Sequence, residues 1–399
     1  MLDPAAAEAA IRAHVRLLPT EHRPLSALHG AVLREPLVAA RDQPPFHRVT
    51  MDGIACASQA VVGGRRSFRI AGTQPAGAAP LQLTDPSTCF EVMTGAVAPE
   101  GCDCVIPVER LKISDGVAVV NEDVEVSPWL NIHTRGLDGR AGQVLLEAGT
   151  RVGLTAIALA ATAGLPRVAV SRAPRIAIIS TGSELVEPGA PVADWQIYRS
   201  NAYALASALR ARGYEQLTDE HVPDDLPVLR ERLGAQLEKQ DVLILSGGVS
   251  MGRFDYVPQV LSELGVRMIF HGVAQRPGKP LWFGVSDAGK AVFALPGNPV
   301  STAACLARYV YAGLDAALGT STPPPSLVVL QADYEVKTAL TVFLPVELER
   351  DAEARQWARP RPTQGSGDFI SLLGTHGFIQ TPPGPQRLKR GTLLPFYAW

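Results

Sequence analysis

Long apolar runs are absent: nowhere in the 399 residues does the chain approach the roughly 20 consecutive apolar positions that a bilayer-spanning helix requires. No hydrophobic stretch follows a basic start at the N-terminus either, so a cytoplasmic protein with no membrane partner is expected. An excess of one charge is missing too. With 37 Lys and Arg against 39 Asp and Glu, the formal net charge of −2 gives no electrostatic reason to expect nucleic acid or an anionic surface as partner. The five cysteines (Cys56, Cys89, Cys102, Cys104 and Cys305) are odd in number and lack the C-x-x-C pairing of a zinc site, which points to free thiols in a reducing compartment. Length alone predicts two to four domains, because one hydrophobic core does not grow to this size.

The most informative stretch is Asp241–Tyr256, DVLILSGGVSMGRFDY. Val242 to Leu245 read as a strand buried on both faces, the pattern of a parallel sheet covered by helices. The loop that follows carries Gly247, Gly248 and Gly252 with the hydroxyls of Ser246 and Ser250, and bare backbone N–H groups of that kind can cradle an anion. Asp255 then sets a carboxylate beside this pocket, which suits a divalent cation or a protonated group between acid and anion. A glycine-rich turn closed by a helix-capping acid is the alternative.

Elsewhere in the chain the same chemistry recurs at strand ends. Arg175–Ser180 predicts a strand that opens into Thr181-Gly182-Ser183-Glu184, and Ser200-Asn201 predicts the cap of the next helix. Of the pair Asp224-Asp225 only one acid is needed to cap the helix through Leu226, Leu229, Leu233 and Leu237, which leaves Asp224 available. Ala291–Leu295 predicts the last strand of the unit, and Pro296-Gly297-Asn298-Pro299 turns it into a helix whose N-terminus faces the same edge. Arg276 and Lys279 sit in a proline-stiffened loop that suits an oxyanion, or serves as a solvated basic turn. Strands alternating with helices from Arg175 to about Leu318 predict a doubly wound parallel sheet.

The flanking regions have other textures. Asp3-Pro4 followed by AAAEAAIRAHVRLL predicts an amphipathic N-terminal helix. From Thr50 to about Val126, short β-branched runs among Gly and Pro predict a small β domain; Asp52-Gly53 and Met93-Thr94-Gly95 within it and Asp138-Gly139 after it read as polar loop tips or plain turns. Beyond Pro323-Pro324-Pro325, alternating pattern predicts a small barrel or sandwich, in which Thr363–Asp368 holds Ser366 on a polar glycine loop.

Taken in order, Met51-Asp52-Gly53, Met93-Thr94-Gly95-Ala96, Ser180–Leu185, Ser246–Ser250, Asp255-Tyr256, Pro277–Pro280 and Leu295–Pro299 resemble the molybdopterin molybdenumtransferases, the MoeA family to which the C-terminal part of gephyrin belongs. The resemblance runs essentially end to end. It implies a multidomain α/β protein: a helical domain from 1–44 plus 140–173, an inserted β-rich domain over 45–139, an α/β molybdopterin-binding domain over 174–320 and a C-terminal β-barrel over 326–399. It implies a homodimer acting on adenylylated molybdopterin and molybdate with Mg²⁺, releasing AMP, and it admits the molybdopterin adenylyltransferase and recipient molybdoenzymes as partners. By the same resemblance Asp52, Thr94, Asp138, Glu184, Asp224 and Asp255 are catalytic, the last three also holding the metal. Thr181, Gly182, Ser183, Gly247, Gly248, Ser250, Arg276, Lys279, Pro296, Gly297, Asn298, Pro299 and Ser366 would bind the substrate. Four departures stand out: Leu137 where an acid is common, His47–Thr50 ahead of Met51, Arg276 where lysine is usual, and a Leu340–Val346 stretch without arginine. A non-catalytic pterin carrier and a pterin adenylyltransferase are the rival classes.

Overall fold

The computed structural model describes residues 1–249, 255–320 and 324–399. The chain divides into two compact units, one of residues 1–35, 148–153 and 169–399, the other of 36–147 and 154–168.

The first unit is built on a six-stranded sheet in the order Leu217–Val222, Ile176–Thr181, Val242–Ser246, Ala291–Leu295, Trp282–Ser286, Val266–His271. The central strands are apolar throughout because both faces are covered. Ile176, Ile178, Val242, Ile244, Phe293 and Leu295 face one core, while Ala177, Ile179, Leu243, Leu245, Val292 and Ala294 face the other. That alternation is the two-residue period of a strand divided between two helical layers. The first four strands run parallel, as predicted. Trp282–Ser286 departs from the prediction: it is antiparallel to Ala291–Leu295 and makes the sheet mixed. A turn at Asp287–Lys290, with Gly289 at φ 81°, folds these two strands into a hairpin, and a hairpin can only be antiparallel.

The N-terminal helix, Pro4–His14, starts where predicted: the Asp3 carboxylate accepts from the Ala6 N–H at 2.8 Å and Pro4 occupies the first turn. Pro4, Ala7 and Ile11 are its buried residues, and Ala7 and Ile11 join the core that also holds Leu314 of the Tyr311–Leu318 helix. Arg308, only 5% exposed, ties this helix to the barrel by pairing with Glu8 and donating to the Gln380 side-chain oxygen at 3.2 Å. In the C-terminal region Thr341–Arg350, Gln356–Pro360, Ser326–Leu330, Leu393–Ala398 and Gly377–Gln380 close on themselves as a five-strand barrel. The second unit carries a six-stranded sheet in the order Cys104–Pro107, Gly53–Cys56, Thr88–Val92, Ser67–Gln74, Val117–Val120, Leu111–Ser114. All five cysteines are free and buried.

At the amino edge of the central sheet, Asp241 is 9% exposed and accepts from the Arg175 N–H at 2.9 Å and from Arg172 at 2.9 Å, with Lys290 at 3.7 Å. Burial alone would raise its pKa, but the Arg172 and Arg175 hydrogen bonds outweigh that and hold the carboxyl far below the usual range. Three strand starts are thereby fastened to one charge. Asp241→Asn is expected to cost about 2 kcal/mol in urea denaturation at pH 7, as for a hydrogen bond to a charged group. A depressed folded pKa contributes stability above the unfolded value of about 3.9 and loses it as pH falls toward the folded value, so the gap between wild type and variant should shrink below about pH 4.

Candidate active site

Parallel pairing brings four strand ends to one edge. Ser180 lies opposite His221 and Ser246, and Ser246 lies opposite Leu295, so the loops after them open side by side. Together they line a cavity of about 640 Å³ whose wall includes Thr181, Gly182, Glu184, Asn201, Asp224, Gly247, Gly248, Asp255 and Pro296–Pro299. Ligands in open α/β sheets sit at this kind of edge.

The loop glycines have a steric reason. Gly247 has φ 104°, and a Cβ there would stand 2.5 Å from the Thr181 carbonyl oxygen; at Gly248, with φ 68°, it would stand 2.6 Å from Val257. Only glycine lets this backbone close over the strand end. Beneath it the hydroxyls of Ser180 and Thr181 are buried without a hydrogen-bond partner among the described residues, though both residues line the cavity. An unpaired buried hydroxyl costs free energy, so the pair suits a ligand that supplies the partner.

Three acids meet at this cavity. Asp225 caps the following helix, its Oδ1 accepting from the Val228 N–H at 3.0 Å, which frees Asp224 as the sequence suggested. Asp224 accepts from the Ser183 N–H at 3.3 Å. Its pKa is raised, first by burial and then by the charges of Glu184 and Asp255, against the lowering bond from Ser183. Carboxylates crowded in this way favour a cation among them. Among the described residues, no three His, Cys, Asp or Glu side chains are near enough together to hold a metal ion by themselves. Ser250 lies outside the described residues.

A second cavity of about 700 Å³ adjoins the first, sharing Pro280, Pro296 and Asn298, and is lined by Arg276, Lys279, Ser301, Ser366 and Lys337. Arg276 and Lys279 are exposed and form no ion pair with the described residues. The side chain of Asn298, at the helix N-cap, does not cap its own helix; its amide donates to the Ser366 hydroxyl at 2.7 Å, joining sheet edge to barrel loop. The result is an acid-lined chamber beside a cation-lined one.

Asp52, Thr94 and Asp138 belong to the other unit. Asp52 accepts from the Thr94 N–H at 2.6 Å and its hydroxyl at 2.8 Å, and those two bonds, the N–H first, hold its pKa down. Asp138 lies 2.9 Å from His133 Nε2. Leu137 beside it is 66% exposed.

Two contributors were not anticipated. Ser200 forms no side-chain cap, and Asn201, read as a capping residue, is instead the first residue of its helix. Its amide donates to Ser246 Oγ at 2.8 Å and to the Gly297 carbonyl at 2.7 Å, bracing two loops of the cavity. His221 is the other, its Nε2 lying 2.8 Å from the Gly182 carbonyl. Neither has a motif of its own, so only the fold reveals them.

A mixed α/β sheet with an acid-lined cavity at its strand ends, a cation-lined neighbour, a closed barrel and a separate β-rich unit defines a multidomain α/β protein. The chain belongs to the MoeA family. Models for the MoeA N-terminal region (domain I and II), a probable molybdopterin binding domain and the MoeA C-terminal region (domain IV) match residues 2–164, 177–316 and 328–399. A molybdopterin molybdenumtransferase of Synechocystis sp. is 41% identical over 100% of both chains, and molybdopterin molybdenumtransferase 2 of Mycobacterium tuberculosis is 33% identical over 93% of each. The crystal structure of the molybdopterin biosynthesis MoeA protein from Pyrococcus horikoshii superposes with a TM-score of 0.84 at 28% identity, covering 100% of this chain and 99% of that one.

Proposed function

We propose that this chain is the enzyme that inserts molybdenum in molybdenum cofactor biosynthesis: it hydrolyses adenylylated molybdopterin, transfers molybdenum from molybdate to the dithiolene and releases AMP. The observation that carries this is the adjacency of the acid chamber of Glu184, Asp224 and Asp255 to the cation chamber of Arg276, Lys279 and Ser366. Such a pair suits a substrate with a phosphoanhydride at one end and an oxyanion to be received at the other. Assay of AMP release from adenylylated molybdopterin, with and without molybdate, tests it; the rival carrier would bind molybdopterin and release no AMP.

Within this reading the backbone around Gly247 and Gly248 and the Ser180 and Thr181 hydroxyls receive the pterin side, and Arg276 and Lys279 fix the oxyanion by charge and directed N–H groups. Asp224 and Asp255, with Glu184 beside them, would hold Mg²⁺. A magnesium site needs only one or two carboxylates, since waters and substrate phosphates complete the shell, so three acids too spread for a cage still fit it. When bound, the ion offsets the charge that develops on the phosphoanhydride oxygens.

The proposal includes a homodimer, in which Asp52, Thr94 and Asp138 of one copy face the acid chamber of the other, and the four-domain division implied by the sequence resemblance. Equilibrium sedimentation at micromolar concentration should give twice the 42.4 kDa chain mass. A monomer there would remove the shared-cleft arrangement.

A further inference from the structure

At the opposite edge of the central sheet, where the strands begin, the first unit has a cavity of about 960 Å³ that no part of the proposed reaction uses. Pro174, just before Ile176, and Tyr214, shortly before Leu217, form part of its wall, so it is remote in topology from the strand-end chambers. Four arginines line it, Arg23, Arg151, Arg210 and Arg212, together with His29. Against them stand Asp315 in the wall, which pairs with Arg151 at 3.2 Å, and Glu21, which pairs with Arg23 at 2.6 Å.

Arg210 and Arg212 differ from Arg23 and Arg151 in their pairing. Neither forms an ion pair with a described residue. The Arg212 guanidinium lies 3.5 Å over the centroid of the Tyr311 ring, and Tyr311 is itself 4% exposed. Stacking of this kind fixes the guanidinium plane, and a guanidinium held in plane presents its N–H groups in the fork geometry that a bidentate acceptor matches. Both arginines stand at the end of the Asn201–Ala211 helix, where a cation also favours the helix dipole, so a purely structural role is the competing account. That account explains why basic residues sit there; it does not explain a concave wall of four arginines in a chain of net charge −2.

We propose that this cavity is a second anion site, distinct from the reaction chambers, which takes a small phosphorylated molecule. The volume is that of a small-molecule site, not a surface for a polymer, and guanidinium pairs match the geometry of phosphate oxygens better than any other common anion-binding side chain.

The test uses the full-length protein carrying Arg276→Ala and Lys279→Ala, so that the cation chamber of the reaction site does not compete for the probe. Titration calorimetry with pyrophosphate should show saturable binding, and adding Arg210→Glu with Arg212→Glu should weaken it about tenfold or more. Both residues are exposed, so the charge-reversed protein should fold, and an unchanged circular dichroism spectrum verifies this. A helix-dipole role alone would lower the melting temperature and leave pyrophosphate affinity unmoved, which would overturn the proposal. It is equally overturned if pyrophosphate does not saturate, or if a poly-glutamate peptide binds the cavity more tightly than pyrophosphate does.

Discussion

Asp224→Asn and Asp255→Asn should each lower AMP release from adenylylated molybdopterin by about two to three orders of magnitude, the range seen when one pre-placed charge partner of a transition state is removed. The substitutions keep side-chain volume, and the helix after Asp224 is capped by Asp225, so the melting temperature should move little. Asp225→Asn is the matched control. It alters the neighbouring carboxylate that accepts from the Val228 N–H, so it should cost at most about 1 kcal/mol in stability and leave turnover near wild type. The pH dependence separates the two further. Burial and the nearby charges of Glu184 and Asp255 raise the Asp224 pKa, so the ionised form that a cation needs is lost on acidification at a higher pH than for an ordinary aspartate. The acid limb of turnover should therefore lie at higher pH than an ordinary aspartate would set, and added Mg²⁺ should shift that limb downward by favouring the ionised carboxylate. Equal turnover in both variants and wild type would remove the acids from the mechanism.

Gly247→Ala carries the second large expectation. Alanine there must hold φ near 104° while its Cβ lies 2.5 Å from the Thr181 carbonyl and 2.9 Å from its hydroxyl. The backbone oxygen belongs to the Ile176–Thr181 strand, so it cannot give way without breaking the sheet edge. The left-handed backbone and the clash together should cost about 2–4 kcal/mol and displace the loop from the cavity wall. Gly365→Ala, in the barrel loop, is the contrast: a Cβ there meets nothing within 4 Å, and both stability and turnover should be retained. Urea denaturation and AMP release measured on the two variants check this directly.

How far the sequence reveals this architecture depends on where each signal resides. Val242–Leu245 and Ala291–Leu295 are apolar at every position because both faces are buried, and that pattern is local, so the strands were legible. The family resemblance rested on loops that a strand-end site must keep short and glycine-rich, which is also local. The Trp282–Ser286 strand was not legible, since direction within a sheet is set by which neighbour the chain meets and not by its own residues. Asn201 was misassigned for a related reason: an asparagine at a helix start reads as a cap, and only the placement of Ser246 and Gly297 turns its amide elsewhere. The choice between Asp224 and Asp225 could be argued from capping need alone, but the crowding of Asp224 by Glu184 and Asp255 exists only in three dimensions.

The most direct measurement is the ratio of AMP released to molybdenum inserted by the purified protein given adenylylated molybdopterin, molybdate and Mg²⁺. The two-chamber account predicts that the products appear together in equal amounts, and that Lys279→Ala lowers both. Binding of molybdopterin with neither AMP release nor molybdenum insertion above background would contradict it.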